Sequence, residues 1–71
     1  MSEQDVDFIR RLLKERCAIV LDPGKEYLVE TRLAPIVRQL NLNSLEELIE
    51  QMRSPEGKRL TTRVVEAMVN A

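Results

Sequence analysis

The sequence contains no histidine, one cysteine and two glycines in 71 residues. Without histidine, the chain cannot form imidazole-based catalytic triads or zinc sites of mixed Cys and His ligands. The single thiol, Cys17, cannot form a disulfide within the chain and is interpreted as a small core residue. Gly24 and Gly57 stand alone, so there is no glycine-rich phosphate cradle. We therefore expect no catalytic, cofactor-binding or metal site in this chain.

Aromatic residues, turn-forming residues and long apolar runs are also scarce. Aromatic side chains make up 3% of the chain, so aliphatic residues must fill the core. Two glycines and three prolines leave few tight turns, which favours helices over a β-sandwich or barrel. The longest apolar run, 18–21, is far shorter than the roughly 20 residues of a membrane span. The acidic N-terminus is unlike a secretory signal, so we predict a cytoplasmic protein without membrane insertion.

A basic excess is missing as well. The chain has 11 basic and 12 acidic residues, a net charge of −1. Proteins that bind nucleic acid usually carry a basic excess, because neutralisation of phosphates dominates their affinity. We therefore expect no nucleic-acid partner, although a local basic face is still possible.

What the sequence does contain is apolar residues at helical spacing in four segments. The prediction is an all-α domain covering residues 1–71, with helices at about 5–17, 24–40, 44–53 and 55–70. Each predicted start has a capping residue, and two of these are followed by proline at the first helical position. The predicted caps are Asp5, Asp22 before Pro23, Ser44, and Ser54 before Pro55.

Two local patterns add detail to these helices. Ser44 and Glu47 form a predicted capping box, in which the Glu47 carboxylate reaches back to the Ser44 amide. Pro35 lies inside the second helix and cannot donate to the carbonyl of Thr31. We therefore predict a kink near Pro35, or a break just before it.

The second helix carries the most suggestive polar pattern. Lys25, Arg32 and Gln39 are spaced by seven, so they share one stripe, and Arg38 flanks it. This stripe is predicted to point outward, away from the apolar face. The ordinary interpretation is a solvated face that nearby glutamates, Glu26 and Glu30, partly neutralise, and composition alone favours it. The alternative is a docking ridge for an acidic helical surface.

Several segments resemble the N-terminal domain of the CheR family, the chemotaxis receptor methyltransferases. Their order and spacing are together fairly specific, although each segment alone is weak. The resemblance extends from about residue 7 to residue 71. The last residues, 69–71, have no glycine cap or polar tail, so we expect the chain to be part of a longer polypeptide. The segments are Cys17–Leu21, Lys25, Tyr27–Leu33 and Val64–Met68.

The resemblance implies a two-domain enzyme. A larger α/β domain, absent here, would bind S-adenosylmethionine and methylate glutamates on the cytoplasmic helices of chemoreceptors. The small helical domain would recognise the methylation region through its basic second helix. The matching residues are Lys25, Arg32 and Arg38, with Gln39 beside them, and these are the predicted partner-binding residues. Ala34, Pro35 and Ile36 make the middle of this helix less basic than in family members that carry more arginines there.

Two other interpretations stay open. The chain could be a generic interaction module that packs on its own catalytic domain and regulates it, with Val65 and Met68 as an apolar contact patch. It could instead be a helix-turn-helix nucleic-acid binder, in which Lys58, Arg59 and Arg63 contact phosphates. The near-neutral charge disfavours this last possibility.

Overall fold

The computed structural model describes residues 1–70, which form four α-helices and no strand. The helices are α1 (Glu3–Cys17), α2 (Glu26–Gln39), α3 (Leu45–Arg53) and α4 (Lys58–Val69). Helix α4 packs against each of the other three, and α2 also packs against α3. The predicted all-α class is confirmed for these residues, whereas Ala71 lies outside the described part of the chain.

All four helices contribute to one aliphatic core. Cys17 lies half-buried against it, and its thiol donates to the Leu13 carbonyl at 3.2 Å, which supports its interpretation as a core residue. Met68 is only 3% exposed, so the prediction that it forms part of a surface patch is wrong. The largest fully buried side chains are Ile9, Leu13, Val29, Leu33, Leu48, Ile49 and Val64.

Helix α1 begins two residues before the predicted position because Ser2, not Asp5, is its N-cap. The Ser2 hydroxyl accepts a hydrogen bond from the Asp5 amide at 3.1 Å. Glu3 and Asp5 then lie in the first turn, where their negative charge interacts favourably with the helix dipole. The prediction of Asp5 as the cap is therefore wrong.

Helix α2 begins at Glu26, two residues after the predicted start. Asp22 to Lys25 form a turn, in which the Lys25 amide donates to the Asp22 carbonyl at 3.1 Å. Gly24 has a φ of 86°, the conformation that the third residue of a type II turn requires after proline. A residue in this conformation cannot continue an α-helix, so Pro23 serves the turn, and the predicted Asp22 cap is wrong.

Helix α2 then continues through Pro35 to Gln39, so the predicted alternative of a break before Pro35 is wrong. Pro35 and Thr31 are both exposed. Pro35 has no N–H to donate to the Thr31 carbonyl. Because Thr31 lies at the surface, water can hydrogen-bond to this carbonyl instead. The kink stays a prediction.

Helix α3 confirms half of the predicted capping box. The Ser44 hydroxyl accepts from the Glu47 amide at 3.2 Å. The Glu47 carboxylate, however, accepts from the Asn43 amide at 2.6 Å instead of the Ser44 amide. The reciprocal contact therefore falls one residue earlier than the motif predicts.

Helix α4 begins at Lys58, three residues after the predicted start. Ser54 closes α3, since its hydroxyl donates to the Gln51 carbonyl at 2.7 Å, and the Gly57 amide donates to the Ser54 carbonyl at 3.0 Å. A Cβ on Gly57 would lie 2.3 Å from the Met52 carbonyl oxygen, so the start of α4 touches the end of α3. The predicted roles of Ser54 as cap and Pro55 as first helical residue are wrong.

Candidate functional site

Two side-chain hydrogen bonds set the register between α2 and α4. Arg32 of α2 donates to the carbonyl of Met68, and Arg63 of α4 donates to the side-chain oxygen of Gln39. A later residue of α2 therefore contacts an earlier residue of α4. The two helices run in opposite directions, with a polar contact toward each end of their seam.

Arg32 is half-buried and serves the end of α4. Its Nη1 lies 3.1 Å from the Met68 carbonyl oxygen. Carbonyls in the last turn of a helix lack an intrahelical partner, and a positive charge there interacts favourably with the helix dipole. Arg32 thus satisfies the C-terminal end of α4, which gives it a structural role.

Gln39 also faces α4, through its contact with Arg63. The seven-residue spacing did place Arg32 and Gln39 on one side of α2, as predicted. Gln39 is nevertheless exposed, whereas Arg32 is half-buried and donates to the end of α4. The predicted outward display of this stripe is therefore wrong for Arg32, while Gln39 is exposed as predicted.

Like Gln39, Lys25 and Arg38 are exposed. Within residues 1–70, neither Lys25 nor Arg38 forms a side-chain hydrogen bond or an ion pair. They are separated by 13 residues, about 20 Å along a helix, which is roughly two Debye lengths at physiological salt. A partner contacts both only if it lies along the whole of α2.

The two glutamates predicted to neutralise the stripe form no ion pair with it within residues 1–70. Glu26 turns toward α1, where its carboxylate lies 3.5 Å from Arg10. Glu30 is exposed. The C-terminal half of α2 contains no acidic residue, so the charge of Arg38 is uncompensated within that half.

The packing of α4 brings Arg63 to the C-terminal end of α2, a contact that the sequence did not indicate. Arg63 contacts Gln39, the residue next to Arg38, and Arg59 lies one helical turn before Arg63 on the same side of α4. The four-residue spacing of Arg59 and Arg63 was visible in the sequence, whereas the approach of Arg63 to α2 depends on the helix packing.

The other arginine contacts on the protein surface hold elements together. Arg10 donates to the Leu21 carbonyl at 2.8 Å and fixes the loop between α1 and α2. Arg53 lies 4.8 Å from the centre of the Phe8 ring and donates to the Gln4 carbonyl at 2.9 Å, which ties α3 to α1. Each of these guanidiniums is thus occupied by the fold itself.

Residues 1–70 contain no group of three or more His, Cys, Asp or Glu side chains placed to hold a metal ion. In the same part of the chain, no helix combines the length and apolarity needed to span a membrane.

Comparison with protein families finds a match over residues 4–69 to the family described as "CheR methyltransferase, all-alpha domain". A "Chemotaxis protein methyltransferase" of Vibrio anguillarum is 35% identical over 68 residues, covering 96% of this chain and 25% of that protein. "Chemotaxis protein methyltransferase 1" of Pseudomonas aeruginosa is 39% identical over 70 residues, with the same shares covered. The chain spans about a quarter of the length of these relatives.

A third relative is "Chemotaxis protein methyltransferase Cher2" of Pseudomonas putida, 36% identical over 70 residues, with 96% of this chain and 26% of that protein covered. No solved structure gives a significant match to the chain.

Proposed function

Because the chain belongs to the CheR methyltransferase all-alpha domain family, we propose that it recognises the substrate of a protein-glutamate O-methyltransferase. The substrate would be the methylation-region helices of chemoreceptors, and the site of action the cytoplasm. The named relatives are about four times as long as the region that matches. In this proposal, catalysis and binding of S-adenosylmethionine belong to the remainder of the enzyme.

One observation carries the proposal: Arg38 is an exposed, uncompensated cation on the outer face of α2. A helix that presents glutamates for methylation is acidic, and opposite charges steer such a partner toward the domain and fix its register. The contribution of Arg38 is to the encounter and orientation of the substrate helix and not to the chemical step.

The remaining predicted contacts differ in availability. Lys25 is free to meet an acidic group at the opposite end of α2. Arg32 uses Nη1 for the Met68 carbonyl, but a guanidinium has five N–H donors and can serve a second acceptor. Gln39 is exposed, but its side-chain oxygen already accepts from Arg63. We therefore rank Arg38 first among the four residues.

The residues of this chain do not fit a site for the methyl donor. Two grooves among residues 1–70 are open depressions along α1, lined mainly by charged side chains and a few apolar ones. The only glycines, Gly24 and Gly57, lie in separate turns. No step of the methyl transfer is assigned to this chain.

The second candidate function is regulation by packing on the enzyme's own catalytic domain. Val69, at the end of α4, is 53% exposed, and Val65 lies half-buried one turn before it. Apolar side chains exposed together mark surfaces that a partner can cover. Val65 and Val69 are the candidate contacts for this function.

The test is an NMR titration of the isotope-labelled chain with a helical fragment of a chemoreceptor methylation region. We expect shifts around Arg38 that weaken with added salt, and about tenfold weaker binding for Arg38→Glu. Arg16→Glu, a matched charge reversal on the exposed end of α1, is the control and should bind like the wild type.

Two outcomes would contradict this function. The first is a folded chain that shows no shifts at high fragment concentration. The second is equal weakening by Arg38→Glu and Arg16→Glu, which would reveal a non-specific charge effect. Shifts confined to Val65 and Val69 on addition of the catalytic domain would favour the regulatory function instead.

A further inference from the structure

We infer that the segment that follows α4 in the full-length enzyme continues along the N-terminal half of α2 and covers Leu28. This inference rests on the proposed function, because it requires that the chain be one domain of a longer methyltransferase. The named relatives are about four times as long as the region that matches, so most of such an enzyme lies outside this domain. The occupant is the polypeptide directly after residue 71, with an apolar side chain against Leu28.

The register between α2 and α4 places Leu28 beyond the end of α4. Gln39 contacts Arg63, and Arg32 contacts Met68, so each step toward the start of α2 is a step toward the end of α4. Leu28 lies one turn before Arg32 and on the same side of α2, because residues four apart in a helix are neighbours. Helix α4 ends one residue after Met68 and therefore stops short of Leu28.

Leu28 is an apolar side chain that residues 1–70 leave incompletely covered. It is half-buried, and it is not among the half-buried apolar side chains that pack against the core. Val29 and Leu33, on the core side of the same helix, are by contrast fully buried. Because burial of apolar surface is favourable, Leu28 contributes its full share only when further chain covers it.

Arg32 fixes the point from which the following segment departs. Its Nη1 donates to the Met68 carbonyl at 3.1 Å, which holds the last turn of α4 against α2. The Asn70 amide donates to the Glu66 carbonyl at 2.9 Å, so the chain keeps its helical hydrogen bonding up to residue 70. Arg32 is therefore a positioning residue, since it contacts the end of α4 and not the covering segment.

The covering side chain lies close to α4 in sequence. One helical turn separates Leu28 from Arg32, which is about 5–6 Å along the axis of α2. About two extended residues or about four helical residues cover that length. Counted from Asn70, the side chain against Leu28 therefore belongs to the first turn after residue 71.

The experiment compares the reactivity of a thiol at position 28 in three lengths of the enzyme. They are the 71-residue chain, the chain extended by its next residues, about ten or three helical turns, and the full-length enzyme. All carry Cys17→Ala, which removes the only other thiol of this domain. Labelling of Leu28→Cys by a maleimide is followed by peptide mass spectrometry. We expect it to be about tenfold slower in the two longer proteins than in the 71-residue chain.

Two positions serve as controls, and circular dichroism checks that every variant is folded. Glu30→Cys lies on the opposite side of α2, is exposed, and should be labelled at the same rate in all three lengths. Arg32→Gln should raise the labelling rate of Leu28→Cys in the extended chain about threefold, because the end of α4 is then held less firmly. Arg32→Lys keeps a charged donor and should preserve the protection.

The outcomes separate this inference from the proposed function. Equal labelling of Leu28→Cys in all three lengths, in an enzyme that still methylates the receptor, would overturn the inference and leave receptor recognition standing. Equal slowing of Leu28→Cys and Glu30→Cys in the extended chain would also overturn it, as would protection that appears only in the full-length enzyme. If the extended chain protects Leu28→Cys but the receptor fragment does not bind, the proposed recognition fails and the covering segment stands.

Discussion

The two sides of α2 carry the same residue type in two different situations. Arg32 is half-buried and donates to the Met68 carbonyl at the end of α4, whereas Arg38 is exposed. They are six residues apart, which rotates one about 120° from the other around the helix axis. The side of Arg32 holds two helices together, whereas Arg38 is exposed and forms no ion pair within residues 1–70. The basic character of a helix is therefore no measure of its binding surface until its neighbours are known.

Two side-chain contacts tie α2 to α4. Arg32 donates to the Met68 carbonyl, and Arg63 donates to the side-chain oxygen of Gln39. Variants of the core, of these contacts and of Arg38 test the comparison in turn.

The largest effect is expected for Leu33→Ala, which removes the apolar support beneath the seam. Leu33 is fully buried, so the cavity should lower the free energy of unfolding by about 2–5 kcal/mol. Leu28→Ala, at a half-buried leucine of the same helix, is the matched control and should cost about 1 kcal/mol. Urea denaturation followed by circular dichroism measures both.

A loss of that size can unfold a domain of 71 residues, so Leu33→Met serves as a milder variant that keeps the volume. It should cost less than about 1.5 kcal/mol and preserve binding. Equal stability of the two alanine variants would show that Leu33 does not support the seam.

A smaller effect is expected for Arg32→Gln compared with Arg38→Gln. Arg32→Gln removes a charged hydrogen bond to a helix C-terminus and should destabilise the domain by about 1 kcal/mol. Arg38→Gln should change stability by less than about 0.5 kcal/mol, because it is exposed and has no partner within residues 1–70. Thermal denaturation of the two variants measures the difference.

The order of the two variants should be reversed when binding is measured instead of stability. Arg38→Gln should weaken the receptor fragment more than Arg32→Gln does, once both chains are shown to be folded. If Arg32→Gln left stability unchanged and abolished binding, the structural role assigned to Arg32 would be wrong and Arg32 would be a binding residue.

The smallest effect is expected for Gln39→Ala. Its contact with Arg63 lies at the surface, so stability should fall by less than about 0.5 kcal/mol. Side-chain NMR of the arginine Nε–H groups should show greater mobility for Arg63 than in the wild type, while Gln51→Ala, at an exposed glutamine of α3, serves as the control.

The helices themselves were largely predictable because apolar periodicity is a local property. Leu48, Ile49 and Met52 are buried at the spacing that predicted α3, and Ser44 caps that helix as its motif indicated. The helix starts at Pro23 and Pro55 were predicted wrongly for a local reason as well. A proline suits both the first turn of a helix and the second position of a turn, and the glycine that follows at Gly24 decided for the turn.

By itself the sequence determined the all-α class, the family and the spacing that groups Arg32 with Gln39 on one side of α2. Periodicity relates the residues of one helix to each other, but it does not say which side another helix will cover. Only the tertiary structure decided that α4 packs against this side, so that Arg32 caps the end of α4 and Arg63 contacts Gln39. Residues 39 and 63 are separated by a stretch of chain over which local patterns have no influence, and the shared core alone brings them together.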